Sequence, residues 1–448
     1  MKKLIFSIFA IVALMLSSCA DKNAERILKT VPSNTQVLAL IKADDLSSAL
    51  GEEGRNEVKQ LINSASRGNN SGKEMANYIM SDDSQLDLSV PMAMFEYKNA
   101  VIYTCITKNS DKLREDLERI TNSKFTKNLG IWALEDNTIF IAGDQAWFTS
   151  SYPEVTTQYV NGFTKLNKAA SMADNEYVMK MAADGGEISF LMDLASILKY
   201  NMSTTTSLAM SMIFENPKYL AGNINFENGK IKGDVGILNN KFDPAALSIK
   251  LTNIDMNQLK AFKGKGNVFA ATSIDSSVLN QLIAQFKGML PLPQQTLSIL
   301  EELDGTIVAS ANLSSSASVP NSSAVMLNFK SADAAARCKD VLASILNGAG
   351  GLEISNEGTA LYIMTPMQDG ADISQVANDF NGANLGFVTM IDKMPPVDNI
   401  NMGNYFNTCV VKMTASGNST TLNFTMNTKP GQNSLLTLFQ FINASQKY

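Results

Sequence analysis

Aspartates that directly follow apolar strands are the side chains in this sequence whose type and position best suit acid–base chemistry. Five occupy such positions: Asp44, Asp45, Asp193, Asp275 and Asp392. Two carboxylates that face each other across a cleft can hydrolyse a glycosidic bond. Each of these aspartates is followed by an apolar helical stripe or a turn, where a carboxylate accepts hydrogen bonds from free backbone N–H groups. The pattern favours helix caps and leaves a hydrolase with paired carboxylates as the alternative.

Histidine is absent from all 448 residues. This absence excludes Ser-His-Asp and Cys-His nucleophile systems and histidine-ligated zinc. The oxygen-rich stretches 82–84 and 369–372 lack the ligand spacing of an EF-hand loop, so we interpret them as turns. No glycine-rich nucleotide motif precedes a helix. The sequence therefore predicts no catalytic residue, no metal site and no cofactor.

Both tryptophans, Trp132 and Trp147, fall within the stretch 130–150, beside Phe140 and Phe148. Exposed aromatic side chains at this density could form a surface that stacks on sugar rings. Aromatic side chains on strands also pack well into a core. Trp132 and Trp147 are thus the candidate ligand-binding residues, with core packing of a hairpin as the alternative.

The amino terminus carries a lipoprotein-type leader. Lys2 and Lys3 precede the apolar segment 4–16, and Ser-Ser-Cys-Ala follows at 17–20. This order is typical of a signal peptide with a lipobox, and the apolar segment is too short for a typical membrane-spanning helix. We predict a signal peptide over 1–18, lipid attachment at Cys19 and a short tether over 19–30.

Charge and anchoring together predict the environment of the chain. The net charge is −6 and the mature part has no basic run, which argues against a nucleic-acid partner. The expected partners are a membrane, reached through acyl chains such as palmitate on Cys19, and an envelope protein or glycan. Because no dense acidic run follows Cys19, we favour the periplasmic face of an outer membrane over the cell surface.

The remaining cysteines are Cys105, Cys338 and Cys409. Their odd number prevents complete internal pairing, and none has CxxC spacing. All three lie in apolar strand or helix patterns, where a free cysteine behaves as a small buried hydrophobe. We predict no structural disulfide.

The elements that would position these residues occur twice. The stretch VLALIKAD at 37–44 matches VFAATSID at 268–275 with a constant offset, and helices, alternating strands and a meander follow in the same order in each half. The sequence therefore predicts an α+β fold of two tandemly duplicated units, 31–240 and 266–448, joined by a connector over 241–265. Each unit is expected to be an antiparallel or mixed sheet with helices packed on it.

The lipobox, the opening VPSNTQV at 31–37 and the Leu-Asp-Gly step at 303–305 resemble the Bacteroidetes lipoproteins grouped as domain of unknown function 4836. The resemblance implies a cell-envelope location and a two-part α+β fold, and it carries over no catalytic residue. We expect a non-catalytic binding or scaffolding protein with a site between the halves or on the solvent face of a meander. A carboxylate hydrolase and a glycan-binding surface lipoprotein are the alternatives.

Overall fold

A computed structural model describes residues 24–65, 70–81, 83–98, 100–149, 155–195, 214–248, 252–280, 301–313, 320–345, 351–396, 400–416 and 419–445. The chain forms two compact units. The described parts of the first lie within 24–195, 218–243 and 430–445, and those of the second within 214–217 and 244–429. The predicted α+β class is confirmed, and the described strand pairings are antiparallel.

The first unit is built on one antiparallel sheet. Its strands are β1 (Val37–Ile41), β2 (Leu86–Asp87), β3 (Met92–Tyr97), β4 (Ala100–Thr107), β5 (Phe125–Asn128), β6 (Ile131–Leu134), β7 (Ile139–Ala142), β8 (Gln145–Thr149), β9 (Ile188–Asp193), β10 (Tyr219–Glu227) and β11 (Lys230–Leu238). They run across the sheet in the order β5-β6-β7-β8-β4-β3-β1-β9-β10-β11, with β2 also on β4. The helices before β10 are α1 (Ala24–Leu28), α2 (Ala43–Ala65), α3 (Asn70–Ile79), α4 (Ser110–Thr121), α5 (Thr157–Thr164) and α6 (Glu176–Asp184).

The central strand β1 is buried on both of its faces, as its unbroken apolar sequence predicts. Leu38 is fully buried, and Ile41, on the opposite face, is 6% exposed. The side chains on the same face of β1 as Leu38 pack in a core with Phe95, Trp147 and Phe163. Helices α1, α5 and α6 contribute side chains to that same core.

Helix α1 corrects the prediction that 19–30 is only a tether. Ile27 and Leu28 are fully buried in the main core of the first unit. Gln145 on β8 donates hydrogen bonds of 2.7 Å to Thr30 Oγ1 and to Thr104 Oγ1, which ties the end of α1 to the sheet. Five residues complete little more than one helical turn, so the sequence showed no stripe there.

Within the second unit the strands pair antiparallel in the order β16-β17-β15-β14-β13-β19-β20-β21, and β12 pairs with β18 apart from them. Its strands are β12 (Lys265–Gly266), β13 (Val268–Ile274), β14 (Gly305–Asn312), β15 (Ser322–Asn328), β16 (Glu353–Glu357), β17 (Ala360–Met364), β18 (Ala371–Asp372), β19 (Leu385–Met390), β20 (Phe406–Ser416) and β21 (Ser419–Thr428). Its α-helices with defined bounds are α7 (Met256–Lys260) and α8 (Ala332–Ile345).

The end of the predicted connector belongs to the core of the second unit. Ile254, Leu259 and Phe262 are 4% exposed or less and pack in one cluster with Phe269 of β13. The hydroxyl of Tyr362 donates a 3.1 Å hydrogen bond to the carbonyl of Ala261, which holds the end of α7 on the sheet. The short helix again escaped detection because it has too few residues to show a period.

The C-terminal helix α9 (Ser434–Ser445) groups with the first unit, whereas the sequence boundaries placed it in the second. Ser434 Oγ donates a 2.7 Å hydrogen bond to the carbonyl of Glu227, and Leu435 is fully buried. An apolar stripe shows that a helix is covered on one side. It does not show which sheet covers it, because that contact is distant in sequence.

The start of α2 shows that Asp44 is not a helix cap. The helix begins at Ala43, so Asp44 lies inside its first turn, 8% exposed, and its Oδ2 has no hydrogen-bond partner among the described residues. Burial, with a smaller contribution from the charge of Asp45, raises the pKa of Asp44. Asp275 differs, since its Oδ1 accepts a 2.8 Å hydrogen bond from the backbone N–H of Ser277.

Replacing Ile27 tests whether α1 is part of the folded unit. We expect Ile27→Ala to lower the free energy of unfolding by about 2–4 kcal/mol, because it leaves a cavity in a closed core. Lys29→Ala, an exposed change next to the same helix, is the matched control and should leave chemical denaturation unchanged. Equal curves for the two variants would mean that α1 is a dispensable tether.

The buried carboxylate of Asp44 predicts a pH-dependent effect on stability. A raised pKa means that the native state holds the proton more tightly than the unfolded chain, so stability falls as pH rises through the native pKa. Asp44→Asn should therefore raise the melting temperature near pH 7 and change it little at about pH 3, below the unfolded pKa of roughly 3.9.

The control for Asp44→Asn is Asp111→Asn, which alters an exposed aspartate in the first turn of α4. It should have little effect at either pH. Destabilisation by Asp44→Asn near neutral pH would instead show that the carboxylate is needed at the helix start.

Candidate functional site

A cavity of about 580 Å³ lies within the described part of the first unit. It lies where β10 begins, where the chain turns after β11 and where α6 begins. Its volume falls within the range of small-molecule sites, roughly 300–1,000 Å³. Three aromatic rings and four charged side chains contribute to its lining.

The aromatic side of the cavity is a stack of Tyr177, Phe242 and Tyr219. The ring centroids of Phe242 and Tyr219 are 4.6 Å apart and their planes differ by 8°. Those of Tyr177 and Phe242 are 6.1 Å apart, with planes 19° apart. All three side chains are half-buried and pack against the main core. The rings therefore form a nearly parallel pile rather than a box.

The turn that carries Phe242 holds it in a conformation that large residues seldom adopt. Phe242 has φ +63°, in the left-handed region. Asn239 closes this turn: its Oδ1 accepts hydrogen bonds from Lys241 N (2.8 Å) and Asp243 N (3.2 Å), and its own N–H donates to Asp243 O (2.8 Å). A bulky residue in such a region costs on the order of 1 kcal/mol or more. The fold retains this cost while it keeps the Phe242 ring in the stack.

Tyr219 is fixed by its place at the first position of β10. It pairs with Leu238 on one side and with Asp193, the last residue of β9, on the other. Asp193 forms a 2.5 Å ion pair with Lys218, and its Oδ1 accepts a 2.8 Å hydrogen bond from Ala195 N. The hydrogen bond to Asp193 raises the pKa of Lys218. Both carboxylate oxygens of Asp193 therefore have partners within the protein, one in an ion pair and one in a turn.

Tyr177 is positioned by the capped start of α6. Asn175 Oδ1 accepts a 3.2 Å hydrogen bond from Val178 N, which satisfies one of the free N–H groups of the first turn. Burial raises the pKa of Tyr177, so its phenol stays neutral and can donate a hydrogen bond. Ser33 also lines the cavity, and its backbone N–H donates a 3.0 Å hydrogen bond to the carbonyl of Ala170.

The charged lining of the cavity is mainly acidic. Asp174, Glu176 and Asp243 contribute carboxylates, whereas Lys241 contributes the lining ammonium, and all four side chains are exposed. An excess of negative charge repels anionic ligands. The same carboxylates are strong hydrogen-bond acceptors for hydroxyl donors.

The structure does not bring the two predicted tryptophans together. Trp147 is fully buried and faces the main core, while Trp132 is half-buried between the Arg114 guanidinium, 4.7 Å from its ring centroid, and Lys127 Nζ at 5.0 Å. In the β6-β7-β8 register Trp132 pairs with Ile141, so the two tryptophans point to opposite faces. Trp147 cannot stack on a ligand because its ring has no exposed surface.

The other predicted residues lie apart from this cavity's lining. Asp392 is in a short 3₁₀ helix (Ile391–Lys393) of the second unit, and Asp275 is bound to Ser277 there. Cys19 lies outside the described residues. Among the described residues, no group of three acidic or cysteine side chains has an arrangement that could hold a metal ion. The three cysteines are free; Cys105 and Cys338 are buried and Cys409 is half-buried.

A second, smaller cavity of about 340 Å³ is also lined by aromatic residues of the first unit. Lys98 Nζ lies 4.4 Å from the ring centroid of Tyr159 and 3.2 Å from its hydroxyl. The rings of Tyr97 and Tyr159 meet edge to face at 5.7 Å. The lysine already occupies the face of Tyr159, so we assign this cavity no ligand.

Sequence reasoning missed all three rings of the stack. The local signal was the polar turn sequence Asn-Asn-Lys-Phe-Asp at 239–243, in which Phe242 is the residue out of place. A phenylalanine inside a turn of polar residues is a hint of a special role, but it does not reveal that Tyr177 and Tyr219 lie on either side.

Comparison with known proteins gives no family. The chain matches no protein-family model and no curated protein. Among solved structures it is similar to two crystal forms of TP0453. Form III has 9% identity and a TM-score of 0.29, covering 78% of this chain and 96% of that one. Form I has 8% identity and a TM-score of 0.29, covering 79% and 95%.

Proposed function

We propose that this protein is a lipid-anchored lipoprotein of the cell envelope that binds a ligand without transforming it. The observation that carries the binding role is the cavity beside the Tyr177, Phe242 and Tyr219 stack. It combines an apolar wall of ordered rings with a polar rim, the combination that small-molecule sites use for affinity and orientation.

Two features support a non-catalytic role for this cavity. The carboxylates of Asp174, Glu176 and Asp243 are exposed, whereas a carboxylic acid that must donate a proton at neutral pH needs an apolar surrounding. The acids whose pKa burial does raise, Asp44, Glu187 and Asp379, do not line the cavity. The chain also has no histidine for proton transfer.

A hydrolase that uses paired carboxylates is the second candidate, because the cavity rim is acidic. Inverting and retaining glycosidases both place two carboxyl groups across a bound sugar. The rim of this cavity offers carboxyl groups in number, and it lacks the buried acid that would complete such a pair. Binding alone therefore fits the site better.

The leader and the position of α1 support anchoring through Cys19. Ala24, the first described residue of the first unit, lies five positions after Cys19. Even a fully extended chain of five residues spans at most roughly 18 Å. A lipid on Cys19 would thus hold the first unit close to its membrane. We propose the periplasmic face of the outer membrane, in line with the resemblance to the envelope lipoproteins grouped as domain of unknown function 4836.

Within the described ranges, no helix combines the length and the apolar character needed to cross a bilayer.

We also infer that the two units arose by tandem duplication. The strand order β8-β4-β3-β1-β9-β10-β11 in the first unit parallels β17-β15-β14-β13-β19-β20-β21 in the second. Equivalent backbone bonds recur as well: Lys42 N–H donates to Glu187 O at 2.8 Å, and Ser273 N–H to Asn384 O at 3.2 Å. These parallels support the offset read from the repeated strand.

Anchoring is tested by replacing the lipid-bearing cysteine. Cells that express the wild-type chain should incorporate labelled palmitate into it and retain it in the outer-membrane fraction, whereas Cys19→Ala should lose the label and leave that fraction. Ser18→Ala, which keeps small residues ahead of the cysteine, is the control. Equal labelling of wild type and Cys19→Ala would contradict the proposal.

The non-catalytic role is tested with a hydrolysis screen of pooled glycans and peptidoglycan fragments. We expect the purified chain to release no more product than buffer, because no buried acid lines its cavity. A commercial glycosidase serves as the positive control. Turnover that Asp243→Asn abolishes with unchanged melting, or that Asp44→Asn abolishes while circular dichroism shows a folded chain, would establish the hydrolase instead.

A further inference from the structure

We propose that the cavity beside Tyr177, Phe242 and Tyr219 is a binding site for a neutral glycan. The apolar C–H face of a sugar ring would lie on the aromatic pile, and the sugar hydroxyls would donate to Asp174, Glu176 and Asp243. This inference rests on the proposed binding role and adds the chemical class of the ligand.

The parallel arrangement of the rings selects this class over a quaternary ammonium. An aromatic cage surrounds a cation with ring faces set at large angles, so that several faces meet the charge. Here the planes differ by only 8° and 19°. Such a pile encloses no charge; it presents apolar ring edges and the part of each ring face that the neighbouring ring leaves uncovered. The flat C–H face of a pyranose matches such a surface, and its contact removes apolar area from water.

The offset between the rings leaves surface for the sugar. A centroid separation of 6.1 Å between Tyr177 and Phe242 exceeds that of Phe242 and Tyr219, 4.6 Å, so Tyr177 covers less of the Phe242 ring. Each of the three side chains is half-buried and lines the cavity. Part of each ring is therefore available to a ligand.

The charges of the lining select a neutral sugar over an anionic one. Three carboxylates and one ammonium give the rim an excess of negative charge at neutral pH. A phosphate, sulfate or uronic acid would meet repulsion from this rim. Sugar hydroxyls instead donate hydrogen bonds to carboxylates, and such charge-assisted bonds are stronger than neutral ones. The same repulsion disfavours a nucleotide, whose base could stack but whose phosphates would meet the acidic rim.

The strained turn provides the second, independent observation. Phe242 occupies a left-handed conformation in which Asn or Gly is favoured. The ring makes contacts with Tyr177 and Tyr219, yet a smaller residue would relieve the backbone strain. Strain of this kind clusters where ligands are held. We attribute the phenylalanine at this position to its use as the central ring of the sugar platform.

The turn also provides a clean variant for the test. Phe242→Asn deletes the ring and supplies a residue that tolerates φ +63° with little strain. The mature full-length chain in mild detergent is titrated with an array of neutral oligosaccharides that contain glucose, mannose, xylose, galactose or N-acetylglucosamine. We expect at least one to bind the wild type, with saturation-transfer NMR showing the sugar C–H protons in contact with the protein. Phe242→Asn and Tyr219→Ala should each weaken this binding about ten-fold or more.

Matched controls separate the ring from general effects of substitution. Tyr159→Ala removes a half-buried tyrosine from the second cavity and should leave the glycan affinity unchanged. Asp243→Asn should weaken binding several-fold, whereas Glu353→Gln, an exposed change in the second unit, should not. Circular dichroism confirms that each variant is folded.

The outcomes distinguish the ligand class from the binding role. No binding of any neutral glycan, or glycan binding that Phe242→Asn and Tyr219→Ala leave unchanged, overturns the glycan site. If choline or a galacturonic acid oligomer binds instead and this binding is lost in Phe242→Asn, the ligand is not a neutral glycan, while the proposed binding role stands. Lipid labelling of Cys19 is unaffected by any of these results, so anchoring is judged separately.

Discussion

The burial of β1 on both faces is the constraint from which the rest of the first unit follows. β1 forms hydrogen bonds with β3 and β9, and residues 38–41 are all buried. Side chains alternate along a strand, so burial of successive residues requires cover on both sides of the sheet. The pairing of β9 with β1 in turn sets where β10 lies, since β10 pairs with the other edge of β9. Tyr219 is the first residue of β10, so the position of this strand places its ring beside the cavity.

The first unit contains two kinds of carboxyl group, which differ in their exposure to water: buried or half-buried ones near the sheet and exposed ones at the cavity rim. Asp44 and Glu187 each have a buried oxygen without a hydrogen-bond partner among the described residues, and burial raises the pKa of both carboxyl groups. Such groups cost free energy when ionised, because the interior solvates charge poorly. The carboxylates of the cavity rim remain in water, where they stay available as hydrogen-bond acceptors. The buried and half-buried carboxyl groups therefore lower the stability of the fold when they ionise, whereas the exposed ones can accept hydrogen bonds from a ligand.

Long patterns were predicted well from the sequence. Leu113, Leu117 and Ile120 recur in the sequence at the spacing of one helix face, which predicts a helix, and all three side chains are buried on α4. Asn-Gly at 228–229 between two alternating stretches is a sequence typical of a hairpin turn, and it joins β10 to β11, with Gly229 at φ +80°. Both signals are local, since an apolar stripe and a turn residue act within a few positions of the chain.

Short elements and registers were not predictable in this way. The five-residue helices α1 and α7 contain too few positions to show a period, although both are anchored in cores. Matching the strand-end aspartates Asp193 and Asp392 in the sequence would make 188–193 correspond to 387–392. The pairing instead sets Ile188 opposite Ile41 and Leu385 opposite Thr272, which shifts the correspondence by two residues when Val37 is matched to Val268. A shift of two preserves the alternation of faces, so the hydrophobic pattern cannot detect it.

By itself the sequence determined the α+β class, the paired strand patterns and the absence of histidine chemistry, because these depend on composition and on contacts between near neighbours. Only the tertiary structure decided which aromatic side chains can meet a ligand. It buries Trp147 and brings together Tyr177, Tyr219 and Phe242 from three separate elements. Their proximity depends on strand pairing and helix packing between distant segments, for which no local pattern carries a signal.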